Sequence, residues 1–469
     1  MMRISTNGNV LVNPREYRSF CFRGEGRANF VISAKHKKTG VRIVWRFAKA
    51  RKSGLMTVKA RSELVNDYME RIVAPLIDEQ YLVNMQIVEF DINDVHQLAK
   101  IPSLPANEKI ESFDELYGIQ GELSFLPISS FRKNTPNGVI LNPKRLTSLQ
   151  MLDATQLPNA AWLDACTTST ITVEIKPKQG FFQQHPNVDV PNCNNCIMQI
   201  EKCGSAHFRE MYDFCPLDLY SGNYSRTRKA IRSLFLVPHR NLRVFLDGNL
   251  VHSDVKPLTW KQIDGVLFPN RLSSSEDLIS VLAFALSGST SRQGFSLKEP
   301  SVLGQLLNAQ MIDPLGIVRA HAAYEELSSE YKASLLDKTS ISRIGIDAIL
   351  DDSIPPPRGM LDDDCEKVKM LRRYFVAATM KDCSIMVSMR LVPPMCPTQP
   401  PATNIIRLPN GRVFAYSIKI VDLDPKTPKN LLNSHGRFLA GAKLIKLERE
   451  HARAQPDKHN FGFKPCVKL

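Results

Sequence analysis

Residues 173–181 read VEIKPKQGF, and the way Val173–Lys178 folds decides what kind of site the chain can build. Taken as a β-strand, the segment sends successive side chains to opposite faces. Val173, Ile175 and Pro177 fall on one face. Glu174, Lys176 and Lys178 form a row on the other, which Gly180 brings to an end. Such a row has two readings. One is a solvated strand face whose charges pair weakly. The other is an anion site that holds phosphates and a metal.

The rest of the chain narrows the choice. Its 469 residues, 43% of them hydrophobic, are enough for a large core and for two or three domains, or for one large two-lobed unit. Charged residues make up 23% and phenylalanine alone counts 22, which excludes a disordered chain. The formal net charge of +14 would attract nucleic acid, acidic lipid or a polyanionic small molecule, without choosing among them. The opening MMRISTNGNVLVNPREY lacks the apolar core of a signal peptide. No window reaches the roughly 18 continuous apolar residues of a membrane span. Ten scattered cysteines do not form a secreted disulfide framework. These features predict a soluble protein of the cytoplasm or nucleus, with reduced thiols and no membrane span, acting as a monomer.

Along the chain, apolar runs at Phe30–Ser33 and Val41–Phe47 flank a turn at Lys38–Gly40 and predict antiparallel strands. SELVNDYMERIVAPLI places Leu64, Val65, Tyr68, Met69 and Ile72 at helical spacing. VNMQIVEFDI and GVILN read as strands. A helix is expected at about Ser225–Leu236, followed by the hairpin LRVFLDGNLVH with an Asp-Gly turn. Residues 260–350 read as mostly helical. EKVKMLRRYFVAA is a helix with Val368, Leu371 and Phe375 on one face, running into TMKDCSIMVSMR as a turn and a strand. VFAYSIKIVDLD is a strand ending in acids. The coarse class is α+β, with a strand-rich first third and a more helical remainder.

Four places hold residues suited to phosphate chemistry. In RGEGRAN (Arg23–Asn29) the glycines allow the backbone to approach a phosphate, although ordinary hairpins use the same residues. The next strand, VWRFAKAR, carries Arg46 and Lys49 beside Arg51 and Lys52. A basic residue on the strand after a glycine loop holds nucleotide phosphates in kinase lobes. Further along, KDCSIM offers Asp382, and VDLD offers Asp422 and Asp424 with Lys426 behind them. Phosphoryl transfer needs one carboxylate to orient the attacking hydroxyl, others to hold Mg²⁺, and cations for the spread charge. An aspartate at a strand end is otherwise a turn former or a helix cap.

VEIKPKQGF, CPLDLYSGN (215–223), AATMKDCSIM (377–386) and VDLD with Lys426 resemble the inositol-pentakisphosphate 2-kinase family, in that order and at similar spacing. The resemblance runs from RGEGRAN past Lys426, and residues of about 250–360 contribute little to it. It implies an α+β, two-lobed inositol-polyphosphate kinase fold distantly like protein kinases. Residues 1–141 would form the strand-rich N-lobe. Residues 142–469 would form a larger C-lobe with an inositol-phosphate-binding helical subdomain. It also implies transfer of the ATP γ-phosphoryl group, with Mg²⁺, to the 2-hydroxyl of inositol 1,3,4,5,6-pentakisphosphate. By this similarity Gly24, Glu25, Gly26, Arg27, Ala28, Asn29, Arg46, Asn142, Glu174, Lys176 and Arg243 meet ATP. Arg51, Lys178, Lys202, Asn241 and Lys426 meet the inositol substrate, Asp382 orients or deprotonates the hydroxyl, and Asp422 holds Mg²⁺. The sequence departs from the family in places. Met198 stands where relatives have histidine, and Arg240–Asn241 where they often have paired asparagines. NSHGRF replaces a tyrosine beyond Lys426, leaving His435 or Arg437 to take its part. The nearest candidate for an arginine ahead of the hinge is Arg132.

A cysteine-rich stretch follows Gly180. Cys193 and Cys196 form a CxxC half-site for tetrahedral zinc, and Cys215 lies downstream. The animal members of the family resemble this chain at those three positions. The expected set is Cys193, Cys196 and Cys215 with His185 or His207 as the fourth ligand; the alternative is three buried free thiols. A nucleic-acid-binding protein would show basic residues interleaved with exposed aromatics, or a second metal half-site, and neither is visible. No obligate nucleic-acid partner is therefore expected. A catalytically dead scaffold is disfavoured by the presence of Glu174, Lys176, Asp382 and Asp422.

Overall fold

The computed structural model describes residues 3–4, 9–26, 29–49, 58–104, 108–119, 145–157, 168–205, 213–351, 362–393, 404–454 and 465–466. The chain divides into two compact units, one of Met1–Asp67 with Val83–Asn159, the other of Tyr68–Leu82 with Ala160–Leu469. Each is mixed α+β with its own sheet.

The first unit carries strands β1 (Arg3–Ile4), β2 (Val10–Leu11), β3 (Tyr17–Glu25), β4 (Asn29–His36), β5 (Arg42–Ala48), β6 (Gln86–Asp91), β7 (Lys109–Ser112) and β8 (Arg145–Leu152). They lie in the order β1-β2-β6-β8-β5-β4-β3-β7. The β3-β4-β5 meander follows from alternating apolar residues around a turn that Gly40 closes at φ +69°. Trp45, Phe20, Phe30, Phe47 and Phe90 are fully buried, and Trp45 meets Phe90 edge-on at 5.1 Å. Strand β8 sits between β5 and β6, so this unit extends beyond residue 141. The expected GVILN strand lies outside the described residues.

The second unit has β9 (Ile171–Ile175), β10 (Leu242–Leu246), β11 (Asn249–His252), β12 (Ser384–Val392), β13 (Ile405–Arg407) and β14 (Val413–Val421). Their order is β11-β10-β9-β12-β14-β13, antiparallel throughout. All five residues of β9 are buried, as befits an inner strand covered on both faces. Asp247 and Gly248 both take positive φ in the β10–β11 turn, the geometry for which Asp-Gly is suited.

Helix α1 (Val58–Tyr68) continues into a wider π turn over Met69–Val73, in the segment whose spacing predicts a helix. Helix α2 (Ile92–Leu98) is capped by Asp91, whose carboxylate accepts from the Asn93 amide at 2.9 Å. The helices that position the site are α3 (Asn194–Gly204), α4 (Tyr224–Leu236), α5 (Ser275–Ser287), α6 (Val302–Met311), α7 (Gly316–Glu326), α8 (Asp362–Asp382) and α9 (Pro428–Ala454). Helix α5 is buried almost all round and forms the centre of this unit's core. Helix α8 buries Val368, Leu371 and Phe375, the face its spacing predicts.

Two local expectations are corrected. The strand that begins before Val173 stops at Ile175, because Pro177 has no amide to donate and Lys178 turns to φ +62°. Thr379–Asp382, expected as a turn, is the last turn of α8, and Cys383 alone separates it from β12.

Candidate active site

Asp382 is the last residue of α8, and two ammonium groups from distant segments grip its carboxylate. Lys178 Nζ lies 3.1 Å from Oδ1 and Lys426 Nζ lies 2.6 Å from Oδ2. Lys176 Nζ donates to the Asp382 carbonyl at 3.4 Å and to Asp422 Oδ2 at 3.1 Å. Crowding by the surrounding protein works to raise the Asp382 carboxyl. Lys178, Lys426 and Lys176 overcome it and hold the group well below the usual carboxylate range. With a depressed folded value, this interaction supports the fold above a pH of roughly 4 and is lost as pH falls below that. Asp422 follows β14 at φ +62° with a half-exposed side chain, and Ser384 Oγ donates to it at 3.4 Å. Asp382 and Asp422 thus share one lysine.

A turn that the sequence does not announce places Lys178. The Lys176 amide makes a last ladder bond to the Asn241 carbonyl at 2.9 Å, after which the chain leaves the sheet. Gln310 on α6, fully buried, then ties the turn down. Its Nε2 donates to the carbonyls of Lys178 at 3.0 Å and Met380 at 3.2 Å, and its Oε1 accepts from the Gly180 amide at 2.9 Å. One side-chain amide therefore fixes the Lys178 turn against the end of the helix that bears Asp382, and offsets the roughly 1–2 kcal/mol that a left-handed lysine costs. Gly180 is required by space: a Cβ there would lie 2.6 Å from the Tyr220 ring. Gly180→Ala is expected to lower stability by about 1–3 kcal/mol, read by denaturant titration, and to reduce activity by misplacing Lys178.

Beyond Asp382 opens a cavity of ≈ 310 Å³ whose walls include Lys178, Lys202, Lys381, Asp382, Lys426 and Arg437. Lys381 is paired with the fully buried Asp313 at 2.7 Å. Burial, with Lys178 and Arg437 nearby, pushes the Lys202 ammonium down to about 8. Cations that depress one another in this way mark a place prepared for anions. A bound polyanion would restore the Lys202 proton. At pH 8, polyanion binding by the native chain is therefore expected to take up about half a proton more than binding by Lys202→Met. Calorimetry in buffers of different ionisation enthalpy reads this difference. Equal uptake by the two proteins would count against it.

Other expected residues fall as follows. Glu174 on β9 and Arg243 on β10 are register partners, 3.5 Å apart across the sheet. Asn241 is buried and offers its carbonyl to Lys176; it does not line the cavity. Arg240 pairs with Asp254 at 3.4 Å, and Met198 lines the cavity. In the first unit, the Gly26 amide donates to the Asn29 carbonyl at 2.9 Å, and Glu25 forms an ion pair with Lys49. A Cβ at Gly24 would meet nothing within 4 Å, so the backbone there is open to approach. Arg46 lies in mid-β5 opposite Val31 and Leu149. Arg27, Ala28, Arg51, Arg132, Asn142 and His207 lie outside the described residues.

The cysteine site gains a fourth thiol from far along the chain. The sulfurs of Cys193, Cys196, Cys215 and Cys466 lie within 4.8 Å of one another, with Cys193 and Cys215 at 3.9 Å. Tetrahedral zinc with bonds of about 2.3 Å sets its sulfurs roughly 3.8 Å apart, so the donors fit the ion in kind, number and spacing. The Cys193 amide donates to Cys466 Sγ at 3.2 Å. His185, expected among the ligands, is corrected: its Nε2 lies 2.8 Å from Asn194 Oδ1 and its ring packs on Phe438. Cys466 and Gln310 are what the reading of site residues missed, and of the two candidates in NSHGRF the cavity is lined by Arg437. Cys466 stands alone in sequence, and Gln310 acts from 132 residues after Lys178.

Carboxylates set beside a cavity of converging cations are among the parts from which phosphoryl-transfer enzymes are built. Comparison with known proteins makes that class specific. The family model described as inositol-pentakisphosphate 2-kinase matches residues 22–435, and the chain belongs to that kinase family. It is similar to inositol-pentakisphosphate 2-kinases of Danio rerio (23% identical, covering 93% of this chain and 94% of the relative) and Arabidopsis thaliana (25%, covering 97% and 98%). It is also similar to one of Oryza sativa (29%, covering 55% and 56%).

Proposed function

We propose that the chain transfers the γ-phosphoryl group of ATP to the 2-hydroxyl of inositol 1,3,4,5,6-pentakisphosphate, giving the hexakisphosphate and ADP. The observation that carries this reading is Asp382, held by Lys178 and Lys426 at the wall of a cavity rich in cations. In the resting protein the two lysines neutralise Asp382. Substrate phosphates would draw Lys178 and Lys426 to themselves, joined by Lys202. Asp382, relieved of its partners, then accepts a hydrogen bond from the 2-hydroxyl and takes its proton as the oxygen attacks the γ-phosphorus. The bond from that phosphorus to the β,γ-bridging oxygen breaks, and ADP carries the charge away. Mg²⁺, when bound, would neutralise the phosphate oxygens, and the open carboxylate of Asp422 is suited to hold it. Lys176 balances Asp422 and so couples the metal carboxylate to the reacting one.

In this reading the first unit corresponds to the family's N-lobe, with Gly24–Asn29 and Arg46 directed to the nucleotide phosphates. The second unit corresponds to its C-lobe, with Glu174 and Arg243 as nucleotide contacts, and Asn142 takes the family's hinge position. By the same resemblance Arg51 is a further substrate contact. The four thiols hold a structural zinc. Free thiols fit a reducing compartment, the cytoplasm or the nucleus. The test incubates the purified chain with Mg·ATP and inositol 1,3,4,5,6-pentakisphosphate and reads the product by NMR. Phosphate gained at the 2-position, and lost in Asp382→Ala, supports the reading. Phosphate at another position, or none, refutes it.

A further inference from the structure

We propose that Arg437 is a ligand for one phosphate of the inositol substrate, oriented by Glu201, and helps set which polyphosphates this cavity retains. The inference rests on the substrate reading above and goes beyond it in choosing between His435 and Arg437 and in giving the guanidinium its orienting partner. Asn430, Ser434 and Arg437 follow one another at intervals of four and three along α9, so they share a face, and all three line the cavity. His435, the other candidate in NSHGRF, does not line it and instead stacks on His321 with ring centroids 3.7 Å apart.

Glu201 on α3 fixes the guanidinium. Its Oε2 takes Arg437 Nε at 2.9 Å, while its Oε1 accepts from Ser205 Oγ at 3.2 Å. Bonding through Nε leaves the two terminal nitrogens without a hydrogen-bond partner among the described residues. A planar pair of donors held in this way suits two oxygens of one phosphate. Nearby, Asn195 Nδ2 is buried at the same cavity without a partner, so the wall is short of acceptors on a second count. Three acids (Asp382, Asp313 and Glu201) face five cations (Lys178, Lys202, Lys381, Lys426 and Arg437), which leaves positive charge for a ligand to neutralise. Lys202, one helical turn from Met198 on α3, stands across from Arg437 closely enough for the two charges to be felt.

A structural role would have Arg437 do no more than neutralise the largely buried Glu201 and clamp α9 to α3. Titration calorimetry with inositol 1,3,4,5,6-pentakisphosphate, without nucleotide, separates the two roles. Arg437→Ala is expected to weaken binding about tenfold while ADP affinity stays unchanged. Arg437→Lys, which keeps the charge and loses the fork, falls between Arg437→Ala and the native chain, and serves as the test if Arg437→Ala fails to fold. Glu201→Gln keeps the guanidinium and removes a negative charge, so it binds at least as tightly as the native chain. The inference is overturned if Arg437→Ala or Arg437→Lys binds like the native chain, or if Glu201→Gln weakens binding as much as Arg437→Ala does. Failure of the native chain to bind the pentakisphosphate would be a different result: it removes the substrate reading, and this inference with it.

Discussion

Asp382→Asn is expected to cut single-turnover phosphoryl transfer on the order of a thousandfold while binding inositol 1,3,4,5,6-pentakisphosphate at least as tightly as the native chain. The two halves of this result have one cause. The resting carboxylate is held by Lys178 and Lys426 and lies close to Lys176, which make it a poor base in the absence of substrate. The asparagine removes the proton acceptor, so the chemical step slows. It also removes a negative charge from a cavity that must receive a polyanion, so ligand phosphates meet less repulsion and find two lysines already released. A residue that merely shaped the cavity would lose binding and rate together. Rapid-quench kinetics beside calorimetry distinguish these outcomes, and a near-normal single-turnover rate in Asp382→Asn would exclude it as the group that handles the hydroxyl proton.

The second large effect is expected at the thiol cluster, at the start of α3. The purified chain should carry one zinc, and Cys466→Ser should lose most of it, lowering the melting temperature by about 5–10 °C. Cys193 caps α3 and Cys196 lies in its first turn, while Met198 and Lys202 on the same helix line the cavity. Loosening the thiol cluster should therefore also weaken pentakisphosphate binding. Elemental analysis gives the metal content. The visible spectrum of the cobalt-substituted chain reports whether four thiolates surround the ion. Full zinc content in Cys466→Ser would show that the late thiol is not a ligand.

How much of this was legible in the sequence depends on the range of each interaction. The β4–β5 hairpin and the buried face of α8 follow from local alternation and helical spacing, and the structure has them where those patterns fall. Asp382, Asp422, Lys176, Lys178 and Lys426 were nameable from motifs, and the structure brings them together. What failed was anything that needed a distant partner. Alternation persists in the letters and predicts a strand through to Lys178, although Pro177 and the left-handed Lys178 end it at Ile175. Nearness in sequence points to a histidine as the fourth ligand of the thiol cluster, whereas the fourth thiol comes 273 residues after Cys193. Arg437 and Glu201 meet from helices 236 residues apart, and neither carries a local pattern that points to the other.

The assignment of Tyr68–Leu82 to the second unit has a consequence for how the chain is made. Ile72, Val73 and Ile77 belong to the same apolar cluster as Phe375, Phe438 and Ile445, and the Tyr68 hydroxyl bonds Thr379 across 311 residues. At translation rates of 5–20 residues per second, this apolar segment leaves the ribosome roughly 15–60 s before Phe375 and Thr379 exist. The sheet of the first unit, by contrast, has all its strands once β8 has emerged. The nascent chain thus passes through a long interval in which a finished early sheet is interrupted by an unpaired greasy loop, a natural station for chaperone capture. A gene fragment cut after Asn159 would make that interval permanent.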